Sequence, residues 1–115
     1  MADVGELKRG DLVYVRNTNL VGHEIRKDRP AVIVSNPNVC RHAPMLQVVY
    51  TSRKKYDGKP YHVQLNNGTI ALCEQLYTVD VMRLEWKGKP QPPEIMRKIN
   101  DALAQQLQLD DEHRI

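Results

Sequence analysis

The 115-residue sequence has no phenylalanine and a single tryptophan. Any core must therefore be built from valine, isoleucine and leucine, with a few of the tyrosines. Cysteine is nearly absent. Cys40 and Cys73 are far apart and form no Cys-x-x-Cys pair, which removes the usual redox motif and leaves room for one disulfide at most. With no other secretory feature, reduced thiols are expected. Cys40 and His42 are near neighbours, and Cys73 could join them in space, but no second close pair completes a zinc signature, so no metal is expected. Long apolar runs are missing as well: the longest, residues 31–34, is far too short to span a bilayer. The first six residues lack the basic start and apolar centre of a signal peptide. A soluble, cytoplasmic protein is expected.

What is present suits one modest domain. Hydrophobic residues make up 41% of the chain, enough for a single core. No internal repeat or linker divides it, so one domain is expected over residues 1–115, fraying near 1–6 and 110–115. The net charge of +3 and a pI of about 9.0 are only mildly basic, but the charge is unevenly placed. Between Arg41 and His62 stand Arg41, Arg53, Lys54, Lys55 and Lys59 against one acid, Asp57. Such an excess could grip a phosphate backbone, and it could equally be a loop kept soluble by charge.

The pattern of the chain is mainly β. Residues 12–16 are rich in β-branched and aromatic side chains and follow the turn-prone Arg9-Gly10-Asp11. Residues 17–28 are polar and irregular, and read as a loop. Residues 29–35 are apolar on both faces, as in a central strand, and Asn36-Pro37-Asn38 closes them with a turn signal. A third strand is expected over 45–51, an exposed basic loop after it, and a half-buried strand over 61–65. Asn66-Asn67-Gly68 then makes a hairpin turn into a strand over 69–73. Residues 78–84 are expected to form a short helical turn. The one convincing helix is C-terminal. Pro92-Pro93-Glu94 suits its start, and Ile95, Ile99, Ala102, Leu103 and Leu107 recur at helical spacing. Short strands closed by one packing helix predict a small, strongly bent sheet or barrel.

Side chains able to do chemistry fall at strand ends and in the first long loop: Gly22-His23-Glu24, Arg29-Pro30, Thr51-Ser52 and Glu74-Gln75. Taken singly, each has an ordinary explanation. His23 and Glu24 could be surface, Arg29-Pro30 could set a strand's entry angle, Thr51 and Ser52 could satisfy a turn, and Glu74 could pair with a lysine.

Their order carries more. Residues 9–15, Gly22-His23-Glu24, residues 29–34, Val49-Tyr50-Thr51-Ser52 and residues 74–80 resemble the successive signature blocks of the MazF/PemK toxins, Kid-like members included. Trp86 and the C-terminal helix fall where that family has its closing segment, so the resemblance runs from about Arg9 to Leu107. It implies an SH3-like, CcdB-like small β-barrel with a C-terminal α-helix, working as a homodimer. The implied activity is that of a toxin–antitoxin endoribonuclease, an mRNA interferase. Such an enzyme cleaves single-stranded RNA at preferred sequences, with no metal and no cofactor, and is neutralised by a cognate antitoxin protein. The implied reaction is attack of a ribose 2′-hydroxyl on the adjacent phosphorus, leaving a 2′,3′-cyclic phosphate and a 5′-hydroxyl.

That reaction needs a base for the 2′-proton, an acid for the leaving oxygen, and donors for charge building on phosphorus. Arg29 matches the family's catalytic arginine; a guanidinium that hardly ever deprotonates suits charge stabilisation rather than proton transfer. Thr51 matches the hydroxyl on the scissile phosphate, with Ser52 beside it. His23 stands where the Kid-like branch uses histidine in acid–base work, and Glu24 and Glu74 are its candidate carboxylate partners. Leu72 stands where that branch has a second arginine, which leaves Arg29 and His23 as the main carriers. Arg53, Lys54 and Lys55 are expected to track the RNA backbone, Tyr56 to stack on a base, and Gln75 to contact RNA. Base preference is expected from residues 17–21 and 53–59. Two other classes remain: a non-cleaving, CcdB-like gyrase-binding toxin or inactive nucleic-acid-binding member, and a plain SH3-like interaction module.

Overall fold

The computed structural model describes residues 6–16, 28–36, 38 and 44–109. Its elements are β1 (Asp11–Val15), β2 (Arg29–Ile33), β3 (Met45–Ser52), β4 (His62–Gln64) and β5 (Ile70–Asp80), then a 3₁₀ turn (Val81–Arg83), β6 (Leu84–Pro90) and the helix α1 (Pro93–Leu107). The six strands form one antiparallel sheet in the order β4-β5-β3-β2-β1-β6. The mainly-β architecture with a C-terminal helix agrees with expectation. The sheet is not closed, because no ladder among the described residues joins β4 to β6.

Both faces of this sheet are buried, each by a different device. On one face Val13, Val15, Ala31, Ile33, Leu46, Val48, Tyr50, Val79 and Leu84 form a single cluster, with Leu7 and Val81 packed at its margin. Among the described residues no helix covers them, and the sheet curls over its own surface. Edge-strand Leu84 thereby joins the same core as Val79 of β5. On the other face Val32, Val49, Val63, Leu65, Ala71 and Cys73 pack against Ile95, Ile99 and Ala102 of α1. Ala31, Val32 and Ile33 are all buried, which is why β2 carries a continuous apolar run.

Local chemistry sets the turns. Gly10, at φ +96°, lets the chain reverse into β1 while its N–H donates to the Ile33 carbonyl at 2.7 Å. Gly68, at φ +86°, closes the β4–β5 hairpin, where Leu65 N–H bonds the Thr69 carbonyl at 2.9 Å. Helix α1 begins with Pro93 at its first turn and Glu94 on the positive end of the helix dipole. It ends on Gln108 in the left-handed region, φ 55°, and the N–H groups of Gln108 and Leu109 bond back to Ala104. Leu103 packs at the edge of the helix-side core, whereas Leu107 is largely exposed, so the apolar stripe fades in the last turn.

Two strand assignments differ from the sequence pattern. β5 continues to Asp80 rather than stopping at Cys73, and β6 occupies a stretch that carried no strand signal. The first difference has a definite cause. Val49 pairs with Leu76 and the next residue, Tyr50, pairs with Leu72, so Cys73, Glu74 and Gln75 have no counterpart in β3. This bulge interrupts the alternation that would have marked a long strand. β6 pairs only with β1 and is largely solvated, so its Lys87-Gly88-Lys89 composition meets no packing demand.

Ile99 is fully buried where α1 meets the sheet. Ile99→Ala is expected to cost about 2–5 kcal/mol. Urea unfolding should show a lower midpoint with an unchanged slope; an unaltered midpoint would mean that α1 does not hold this core.

Candidate active site

The antiparallel pairing of β2 with β3 brings the first candidates together. Ala31 lies opposite Tyr50, so one step further Pro30 stands opposite Thr51, and the Thr51 hydroxyl donates to the Pro30 carbonyl at 2.9 Å. Arg29, paired with Val15 at the start of β2, and Ser52, paired with Ile70 at the end of β3, face the same cavity. Tyr14, Asp28, Arg29, Pro30, Thr51, Ser52, Arg53 and Thr69 line an open cavity of about 440 Å³. Among the described residues no salt bridge engages the Arg29 guanidinium. The two hydroxyls differ in state. Thr51 is 3% exposed and its proton is committed to Pro30, whereas Ser52 accepts from the Lys54 N–H at 3.1 Å and keeps its own proton to donate. Tyr14 also stacks on Trp86, with ring centroids 5.4 Å apart, so one wall of the cavity leads onto a partly exposed aromatic surface.

Ser52 leads straight into the exposed basic segment, Arg53, Lys54, Lys55 and Tyr56. Its far end is fixed by His62. The imidazole Nδ1 lies 3.0 Å from both carboxylate oxygens of Asp57, and Nε2 lies 2.9 Å from Glu74 Oε2. Alternation along residues 61–65 would turn His62 outward, yet it is 7% exposed. The Asp57 carboxylate on one side and the Glu74 carboxylate on the other cover its ring. Burial alone would lower the imidazole pKa, but the hydrogen bonds and charges of Glu74 and Asp57 outweigh it and hold the ring above its ordinary value. Burial would likewise raise the Asp57 pKa; hydrogen bonds from His62 and the Lys59 N–H, with the imidazolium charge, bring it below the ordinary carboxylate value.

Arg29, Thr51, Ser52 and Arg53 are thus gathered at one cavity. Lys54, Lys55 and Tyr56 continue from it on the exposed segment. Glu74 does not line that cavity: the β5 bulge aims it at His62. Gln75, beside it in the bulge, has a buried Oε1 without a hydrogen-bond partner. His23, Glu24 and the candidate recognition loop 17–21 lie outside the described residues, as do Cys40, Arg41 and His42. Leu72 lies directly across from His62, and it is the His62 imidazole of the neighbouring strand that meets Glu74. Tyr14, Asp28, Thr69 and His62 were not anticipated. Tyr14 could have been found from the alternation of β1, which leaves it half-buried between Val13 and Val15. No local pattern links His62 to Asp57 and Glu74.

Comparison with known proteins fits this geometry. Residues 8–107 match the family model described as PemK-like, MazF-like toxin of type II toxin–antitoxin system. The chain belongs to this family. It is 29% identical over 113 residues to endoribonuclease EndoA of Bacillus subtilis, covering 91% of this chain and 97% of that protein. Among solved structures it is similar to MazF from Deinococcus radiodurans, with TM-score 0.77, 21% identity and coverage of 90% and 98%. It is similar also to an endoribonuclease from a mycobacterial species in complex with its cognate antitoxin, with TM-score 0.74, 24% identity and coverage of 89% and 95%. These two likenesses establish the fold.

Cys73 sits inside the bulge, fully buried, and burial together with the Glu74 charge pushes its thiol up to about 12. In a Cys40→Ser variant at pH 8, a disulfide reagent should react with native protein at least on the order of a thousandfold more slowly than with unfolded protein. Comparable rates would show that the bulge is open to solvent.

Proposed function

We propose that this chain is the toxin of a toxin–antitoxin pair and an endoribonuclease that cleaves single-stranded RNA, acting in the cytoplasm as a homodimer that a cognate antitoxin neutralises. The observation that carries the reading is the cavity at the β2–β3 rim. It combines the Arg29 guanidinium, the Thr51 and Ser52 hydroxyls and the start of a basic segment at Arg53, on a chain of the MazF-like family. The names of EndoA and of the mycobacterial endoribonuclease–antitoxin complex support the activity and the partner. No helix among the described residues is long and apolar enough to cross a membrane. Residues 1–115 are proposed to act as one catalytic domain.

The chemistry follows from the donors present. Arg29 presents a planar fork of N–H donors that matches two phosphoryl oxygens, so it stabilises the charge that builds on phosphorus as the 2′-oxygen attacks. Ser52 holds a proton ready for a phosphate oxygen, and Thr51 can offer one by releasing Pro30. Lys54 and Lys55 neutralise flanking phosphates without reading bases, while Tyr56, 45% exposed, offers a stacking surface. His23, with Glu24, is proposed for proton transfer. The carboxylate of Glu74 is engaged with His62 and does not line the Arg29 cavity, so its part is proposed to be structural support of the site, and proton transfer is left to His23 and Glu24. Gln75 is proposed to contact RNA. The products are a 2′,3′-cyclic phosphate and a 5′-hydroxyl, formed without metal or cofactor at preferred sequences.

The test is cleavage of a long single-stranded RNA by purified protein in excess EDTA. Arg29→Ala is expected to lower kcat by about 10²- to 10³-fold, and Arg29→Lys should recover only part of it. Its side chain lies outside both core clusters, so the fold should be unaffected. Cleavage by Arg29→Ala at the native rate would sink the mechanism. Absence of cleavage by the native protein would point to a non-cleaving role, with gyrase inhibition assayed next.

A further inference from the structure

The sequence between β3 and β4 would ordinarily be a free loop. Residues 53–61 include no strand or helix, and 53–60 are exposed throughout. Yet the segment is tied at its midpoint. Asp57 reaches His62 Nδ1 and also accepts from the Lys59 N–H at 3.1 Å. Gly58, at φ +74°, provides the reversal between them. Nε2 of the same ring is tied to Glu74, which the three-residue bulge of β5 pushes towards β4. The chain of contacts therefore runs from the basic segment, through one imidazole, to the bulge of β5, one strand in from the edge of the sheet. The two carboxylates lie on opposite ring nitrogens and do not converge as metal ligands; no metal-holding cluster of such side chains occurs among the described residues.

We propose that His62 is a positioning residue: bridging Asp57 and Glu74, it clamps the segment carrying Arg53, Lys54, Lys55 and Tyr56 in the place where RNA leaving the Arg29 cavity is received. This rests on the ribonuclease reading and assigns His62 no contact with the reacting atoms. A donor facing a carboxylate on each nitrogen is an imidazolium, and each of its bonds is charge-assisted. Other groups facing this site are Tyr56, Lys59 and Tyr61 from the segment and Lys98 and Asp101 from α1; Tyr56, Lys98 and Asp101 line a cavity of about 310 Å³ beside the ring. The His62 pKa is raised, so the clamp holds below the ordinary imidazole value of 6.5 and is lost as pH rises through the raised one. The Asp57 pKa is lowered, so its side holds above 3.8 and is lost as pH falls through the lowered value. RNA affinity should thus fall on the alkaline side through KM, separately from any limb in kcat due to proton transfer.

Asp57→Asn cuts the clamp on its exposed side, and His62→Gln removes the charge. Both should speed trypsin cleavage after Arg53, Lys54 and Lys55 and raise KM for RNA by roughly fivefold with kcat nearly unchanged. Affinity for an RNA carrying a 2′-deoxy residue at the cut should weaken by the same factor. The alkaline rise in KM should vanish in His62→Gln. The proteolysis and binding measurements do not need catalysis, so they still decide the matter if the native protein proves not to cleave. Faster proteolysis with unchanged KM and RNA affinity would overturn the proposal. So would unchanged proteolysis in Asp57→Asn, a loss confined to kcat, or failure of the native protein to bind RNA.

Discussion

The arrangement of this protein depends on one mismatch between two strands. β3 and β5 pair over most of their length, but β5 carries three residues that β3 does not match. Ladder hydrogen bonds on either side fix the register, so the extra residues cannot slide along the strand and must project. Cys73 turns into the helix-side core, Glu74 reaches the imidazole of His62, and Gln75 carries a buried oxygen without a protein partner. The Cys73 N–H crosses to the Tyr61 carbonyl at 3.0 Å, and Gln106 of α1 donates to the Cys73 carbonyl at 2.9 Å, so the bulge is held from two sides. The chain entering β4 and the last turns of α1 thus both bond to the sheet at this irregular point, in addition to the β4–β5 ladder and the helix-side core.

The proposed catalytic groups and the proposed clamp use the same sheet differently. Arg29, Thr51 and Ser52 stand where two strands end, so their backbones are held by ladder bonds while their side chains face open space. That suits side chains that must be placed accurately and still meet a substrate. The basic segment has no ladder of its own. Its placement relies on side-chain contacts, chiefly those of Asp57, and exposed ion pairs of that kind are individually weak. His62 strengthens the attachment by being buried and bonded at both nitrogens. In the proposed mechanism, rigid chemistry and adjustable substrate contact would thus be divided between strand ends and a tethered loop.

Much of the fold was legible because binary patterning is a local signal. The double-sided apolar run of β2, the Asn-Asn-Gly turn and the spacing of Ile95, Ile99 and Ala102 each report their own surroundings, and each agrees with the structure. β6 was not legible. An edge strand with lysines and a glycine satisfies its backbone against β1 without needing apolar alternation. The extent of β5 was hidden because the bulge at Cys73, Glu74 and Gln75 breaks the period of two. For the proposed site, Arg29, Thr51 and Ser52 were suggested by ordered blocks of a family resemblance and Arg53 by the basic stretch after them, and the structure gathers all four at one cavity. His62 was missed because its partners lie five residues before it and twelve after it, a relation that only the bulge creates.

An unsealed sheet has two outer rims, and each offers backbone groups to a passing strand. On β6 that invitation is withdrawn by composition. Pro90 has no N–H to give, and Lys87 and Lys89 would bring charge against any incoming chain. β4 is only three residues long, and the side-chain amide of Gln64 folds back onto the carbonyls of Leu65 and Thr69. Strand addition is therefore disfavoured at both rims. Whatever this chain assembles with is expected to engage its exposed side chains and loops rather than a sheet edge, and copies crowded together should resist stacking into fibres.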